Sequence, residues 1–137
     1  MPPGSGTAIQ GQQVYAQKCA SCHGDNGEGK PGNPRLIEPQ PYVVGKVPPT
    51  VGNFWPYAPP IYGYIYRAMP WDSPQTLTPD EVYAVTAFLL QRHNIVGESD
   101  RLDAQTLPKV RMPNQAAFTT ADPRKDVVGP KVDVPKP

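Results

Sequence analysis

Thr7-Ala-Ile-Gln-Gly-Gln-Gln-Val-Tyr-Ala-Gln-Lys-Cys19-Ala-Ser-Cys22-His23-Gly24 is a helical stretch that runs into two thiols and an imidazole. Thr7 followed three residues later by Gln10 is a capping-box pattern, in which each side chain satisfies a backbone donor at the helix start. Gly11 and Tyr15 lie four apart and share a face. Glycine inside a helix costs about 1 kcal/mol relative to alanine, so its presence here predicts the close approach of another helix. Cys19 and Cys22 then fall one helical turn apart, and His23 follows the second thiol directly.

Cys-x-x-Cys-His is the attachment pattern of haem c. Thiols at that spacing can add to the two vinyl groups on one edge of a porphyrin. His23 then projects its imidazole at the iron from the same side. Two other chemistries use similar residues. A thioredoxin-type redox pair requires a βαβ setting, and the sequence shows none. A structural zinc site needs four ligands; only His93 remains to join the three, and the adjacent Cys22–His23 pair suits a tetrahedron poorly. One covalent haem c on Cys19, Cys22 and His23 is the expectation.

The composition fits a protein that borrows its interior. At 137 residues the chain is one domain. With 38% hydrophobic and 18% charged residues it can build one modest core and is not a disordered polyelectrolyte. Twenty prolines and twelve glycines imply few regular elements and long, stiff loops, yet seven Tyr, two Trp and three Phe are more than a linker carries. Two cysteines supply little stapling as a disulfide, whereas an attached haem is a large apolar core. The net charge of +1 gives no electrostatic reason for nucleic acid or an anionic membrane as partner. No run of 18 apolar residues spans a bilayer, so no membrane insertion is expected.

Two further helices are predicted. Over Thr78–His93, Thr78 caps, Pro79 sits at a first-turn position where its missing N–H does no harm, and Glu81 closes the box. Asp80 and Glu81 meet the positive end of the helix dipole, and Arg92 and His93 the negative end. Val82, Val85 and Leu89 form an apolar stripe with Phe88 beside it, and Asn94 is a stop. Over Pro59–Ala68, Ile61, Ile65 and Ala68 have helical spacing, and Met69 before Pro70 is pushed out of the helical region. No alternating strand run occurs, and 24–50 is turn-rich loop. Residues 1–6 are expected to be a disordered end, 7–96 the haem domain, 97–121 an extension packed on it and 122–137 a Pro-rich tail or linker.

This order of helix, Cys19–Gly24 motif, loop, middle helix, Met-Pro loop and last helix resembles a class I cytochrome c from Thr7 to about Asn94. The resemblance implies an all-α class I cytochrome c fold: three or more short helices around a covalently bound haem, with long Pro-rich loops and a C-terminal extension. It also implies that the first and last helices cross through a small residue and aromatics, matched here by Gly11, Tyr15 and Phe88. A proline carbonyl downstream of the motif holds the ligand histidine in that family, and Pro34 is the matching residue. Val51–Tyr57, Tyr66–Trp71, Leu77–Ala84 and Lys109–Asn114 are similar to the cytochrome components of Sox-type sulfite and sulfane dehydrogenases. That narrower likeness implies a molybdenum-containing partner oxidising sulfur compounds, a terminal oxidase or another cytochrome as acceptor, and in several members a second haem domain.

An electron carrier requires a six-coordinate iron, and histidine with methionine provides one. Met69, before Pro70, stands where class I cytochromes carry that ligand. Met112, before Pro113, is the rival; Met1 is terminal. Core packing is the ordinary use of methionine for either. A vacant or His93-filled position is the remaining possibility, although His93 reads as a surface partner of the helix dipole. Trp55, Tyr57 and Arg35 are candidate donors to the haem propionates, and Trp71 is expected to shield the pocket. Haem c is attached outside the cytoplasm in bacteria, which implies a periplasmic protein; Met1–Gly6 has neither the basic nor the apolar stretch of a signal peptide, as in a mature form. The expected function is electron transfer without catalysis by this chain alone. The alternative is a haem enzyme or gas-binding domain with an open iron position.

Overall fold

A computed structural model describes residues 1–116; the expected tail over 122–137 and the last part of the expected extension lie outside them. Four helices follow in order: α1 (Ala8–Lys18), α2 (Ala20–His23), α3 (Pro59–Ala68) and α4 (Pro79–Arg92). A two-residue antiparallel pair, β1 (Ser5–Gly6) with β2 (Leu102–Asp103), and a 3-10 turn at Leu107–Lys109 complete the described elements. The described fold is mostly helical, with loops joining the helices and one small two-stranded pair.

The helix boundaries come from short-range chemistry. At α1 the Gln10 N–H donates to Thr7 Oγ1 (3.4 Å) and the Thr7 N–H to Gln10 Oε1 (3.0 Å). At α4 the same reciprocal pair joins Thr78 and Glu81 at 3.1 and 2.8 Å. Helix α3 opens on two prolines and ends at Met69, which is extended before Pro70. Asn94 ends α4 with φ of 60°, a left-handed conformation that asparagine tolerates.

Helix α4 carries more than the expected stripe: every residue from Val82 to Leu90 is buried. A helix apolar on all sides must be surrounded, and α1, α3 and the β1–β2 pair pack around this one. The crossing with α1 is set by Gly11. A Cβ there would fall on the carbonyl oxygen of Ala84 and stand 2.8 Å from Phe88 Cβ. One turn on, the Tyr15 and Phe88 rings meet with centroids 5.1 Å apart. From the other side the Tyr62 ring of α3 lies 4.4 Å from that of Tyr83.

The expectation of a disordered N-terminal end is corrected. Ser5 and Gly6 pair with Asp103 and Leu102, the Ser5 N–H donates to Asp80 Oδ1 (2.9 Å) and Tyr83 Oη donates to the Pro2 carbonyl (2.7 Å). Gly6 permits this, because a Cβ there would strike the Ala84 backbone. After α4 the chain returns past α1, where the Ile9 N–H reaches the Glu98 carbonyl, and buries Leu102, Leu107 and Met112. Its Asn114 side chain then donates to the Phe54 carbonyl (2.9 Å). No helix among the described residues is long and apolar enough to cross a membrane.

Gly11→Ala is expected to destabilise the protein by about 1–3 kcal/mol, the usual penalty of overpacking a closed contact. A lower denaturation midpoint at unchanged m-value is the measurement that checks it.

Candidate haem site

Helix α1 delivers the thiols. The Cys19 N–H bonds the Tyr15 carbonyl as its cap, and α2 continues the turn through Cys22 to His23. Both thiols are free; Cys19 is half-buried and Cys22 exposed. Burial, with the neighbouring Cys22 thiol behind it, pushes the Cys19 thiol up to about 11, so it stays protonated at neutral pH; Cys19 and Cys22 are the two thiols that would hold a haem c by thioether links.

Beyond His23 the chain folds back on itself. Gly24 leaves α2 with φ of 92°, and its carbonyl accepts from the buried Tyr15 hydroxyl at 2.7 Å. The Gly29 N–H returns to the His23 carbonyl (2.7 Å) and Lys30 Nζ to the Ser21 carbonyl (2.9 Å). The Leu36 and Ile37 N–H groups both donate to the Gly27 carbonyl. This places the Pro34 carbonyl 2.9 Å from His23 Nδ1. A carbonyl oxygen only accepts, so Nδ1 bears a hydrogen and Nε2 is the ring nitrogen left to face an iron. His23 itself is only 9% exposed. A buried imidazole with an oriented donor edge, beside two unpaired thiols on one turn, fits a porphyrin iron held from that side.

The family model for cytochrome c matches residues 8–93. The chain belongs to the cytochrome c family. Covalent haem c and electron transfer come with that membership. Among solved structures this cytochrome is similar to the sulfane dehydrogenase SoxCD from Paracoccus pantotrophus, with 36% sequence identity and a TM-score of 0.80, over 99% of this chain and 68% of that one. No curated protein sequence matches it.

The other expected site residues are distributed differently. Met69 caps the end of α3, half-buried against the core, with its N–H on the Ile65 carbonyl. Met112 is packed away at 4% exposure. Trp55 and Tyr57 are half-buried in the segment that leads into α3, and Trp55 touches the core. Arg35 lies on the surface, 3.6 Å from the Glu38 carboxylate. Trp71 stands 80% exposed, in the Pro70–Ser73 turn closed by Ser73 N–H on the Pro70 carbonyl. One expectation is corrected. His93 is no surface dipole partner: it is buried, with Nδ1 on the Leu89 carbonyl and Nε2 facing the Glu38 N–H. Both ring nitrogens being engaged, it has none to offer a zinc or iron. Among the described residues no group of three or more His, Cys, Asp and Glu side chains could hold a metal ion by itself.

Sequence reasoning missed the Tyr15 hydroxyl on the Gly24 carbonyl and, further along the loop, Glu38, Thr50 and Asn53 around His93. Thr50 and Asn53, three apart, do carry a local capping signal that could have marked a turn.

Tyr15→Phe is expected to cost about 1 kcal/mol, the net worth of one hydrogen bond. Burial, helped by Cys19, raises the Tyr15 hydroxyl from an ordinary 10 to about 12. The unfolded chain therefore gives up this proton first; the stabilisation is intact below pH 10 and is lost as pH rises to about 12. Stability measured across that window should fall less steeply in Tyr15→Phe than in the parent.

Proposed function

We propose that this cytochrome carries one haem c, linked through Cys19 and Cys22 and ligated by His23 and Met69, and that it passes single electrons out of a periplasmic dehydrogenase for sulfite or sulfane sulfur, a molybdenum enzyme, toward the respiratory chain. The observation that carries the haem assignment is the 2.9 Å contact of His23 Nδ1 with the Pro34 carbonyl. It orients the ring and raises the basicity of the nitrogen opposite, as the carbonyl partners of metal-bound histidines do. When bound, the haem supplies a one-electron iron couple.

This chain's residues tune that couple. The thioether of Met69 is a soft ligand that favours the reduced iron and raises the potential. Its place at a helix end, half-buried, supports it over Met112, whose side chain is taken up by packing with the core cluster. Arg35, Trp55 and Tyr57 are the donors proposed for the propionates. The sulfur-oxidising partner is supported by 36% identity across 99% of this chain to a sulfane dehydrogenase structure. With a net charge of +1, contact with partners is weakly steered and brief.

Met69→Ala is expected to abolish the far-red methionine–iron band of the ferric protein and to admit cyanide readily. Met112→Ala should keep the band and lose about 2–5 kcal/mol of stability, as a large-to-small core change does. Loss of the band in Met112→Ala alone overturns the ligand assignment. Stopped-flow mixing of the oxidised cytochrome with a molybdenum sulfite or sulfane dehydrogenase in turnover should show haem reduction; a flat trace there removes the partner.

A further inference from the structure

A connected set of buried polar groups lies away from the haem motif. His93 ends α4 with its ring 6% exposed. Nδ1 stands 2.7 Å from the Leu89 carbonyl, and the Glu38 N–H stands 3.0 Å from Nε2. A carbonyl only accepts and an amide only donates, so these two neighbours fix one state of the ring: neutral, with the hydrogen on Nδ1. Thr50 Oγ1 is 3.1 Å from the same Nε2. Thr50 is joined in turn to Asn53, whose side-chain amide donates to the carbonyls of Gln40 and Pro48 at 3.0 Å each. Gly52 closes over the imidazole so tightly that a Cβ there would fall on the ring.

These contacts gather the 34–57 loop at one point. Glu38 is four residues from Pro34, and between them Leu36 and Ile37 are both pinned to the Gly27 carbonyl. From Asn53 the chain continues into Phe54, Trp55 and Tyr57. We propose that His93 is a positioning residue whose neutral ring locks this loop to α4 and thereby sets the Pro34 carbonyl that orients His23.

A second proton on the ring would set an N–H against the Glu38 N–H and break the lock. The charged groups about the ring are few. Glu38, buried, carries a carboxylate shared between Arg35 and the Gln40 N–H. Arg92, next to His93 on α4, extends over the Phe88 ring. Thr50, Gly52 and Asn53 bring nothing titratable. Burial holds the His93 pKa below the ordinary histidine value, with the Leu89 carbonyl and then Glu38 opposing. The lock is therefore closed at neutral pH and opens in acid.

Only the electrochemical part of the test rests on the haem reading. Nitrogen-15 NMR of the wild-type holoprotein should show His93 neutral with the hydrogen on Nδ1 at pH 7. In acid it should titrate below the ordinary histidine range, together with the Glu38 and Thr50 amides. In the same range the reduction potential should rise, because His23 loses its oriented acceptor and a charge appears. His93→Gln keeps an oxygen for the Glu38 N–H and cannot titrate: its potential should match wild type at pH 7 and lack the acid step. His93→Leu, with no acceptor, should show a raised potential already at pH 7. An Nε2–H or charged ring at pH 7, or an acid step that survives in His93→Gln, overturns the proposal, the latter by assigning the step to Glu38 or a propionate. Should His93→Leu fail to fold, the wild-type titration and His93→Gln still decide. Absence of a methionine–iron band in the wild type would count against the ligation alone and leave the NMR result standing.

Discussion

At Gly11 the backbone of α1 lies directly against the carbonyl of Ala84, with no side chain between the two helices. That contact determines where everything after it can go. The Tyr15–Phe88 ring pair sits one turn further along, and Cys19 roughly 12 Å from Gly11 on the same axis. The attachment turn is thus aimed by a helix that cannot roll or slide on its neighbour. Helix α4, buried over two and a half turns, is the fixed partner.

From the end of α2 to the start of α3 the chain has no regular element, and it is held by individual hydrogen bonds instead. Peptide groups near His23 are tied by Tyr15, Gly29 and Lys30; those further on are tied by His93 and Asn53. Prolines limit what the unfolded loop can explore, so fewer such bonds are needed to hold it. A cytochrome of this kind replaces a second sheet or helical layer with its prosthetic group. The loops then have to be precise mainly where they touch the iron ligand.

That division bears on redox function. A potential is adjusted by axial ligands, by the hydrogen bonds those ligands make and by exclusion of water. In the proposed ligation Pro34 supplies the second of these with a backbone atom, 2.9 Å from His23 Nδ1, which no side-chain substitution removes directly. On the proposed positioning role of His93, whose ring faces the Glu38 N–H, a side chain far from the ligands is where variation in sequence reaches the iron.

Local chemistry was legible from the residues. The two capping boxes, Pro59–Pro60 at one helix start, Met69–Pro70 at its end and Asn94 at the last stop each involve groups within four positions of one another. Cys19–His23 also spans four positions. Gly11 could be read because a helix-weakening residue in a well-capped helix needs a reason. The pairing of Ser5–Gly6 with Leu102–Asp103, the burial of His93, the exposure of Trp71 and the packing of Met112 could not be read in this way. His93 meets Glu38 across 55 residues and Asn114 meets Phe54 across 60. Such contacts depend on which surfaces α1, α3 and the returning chain leave open around α4. The sequence by itself determined the helices and the chemistry of the attachment turn, since these are settled by neighbours along the chain. Only the tertiary structure decided which polar groups are sealed inside and so which tautomer, donor and acceptor each must be, because burial is a property of packed elements and not of any one segment.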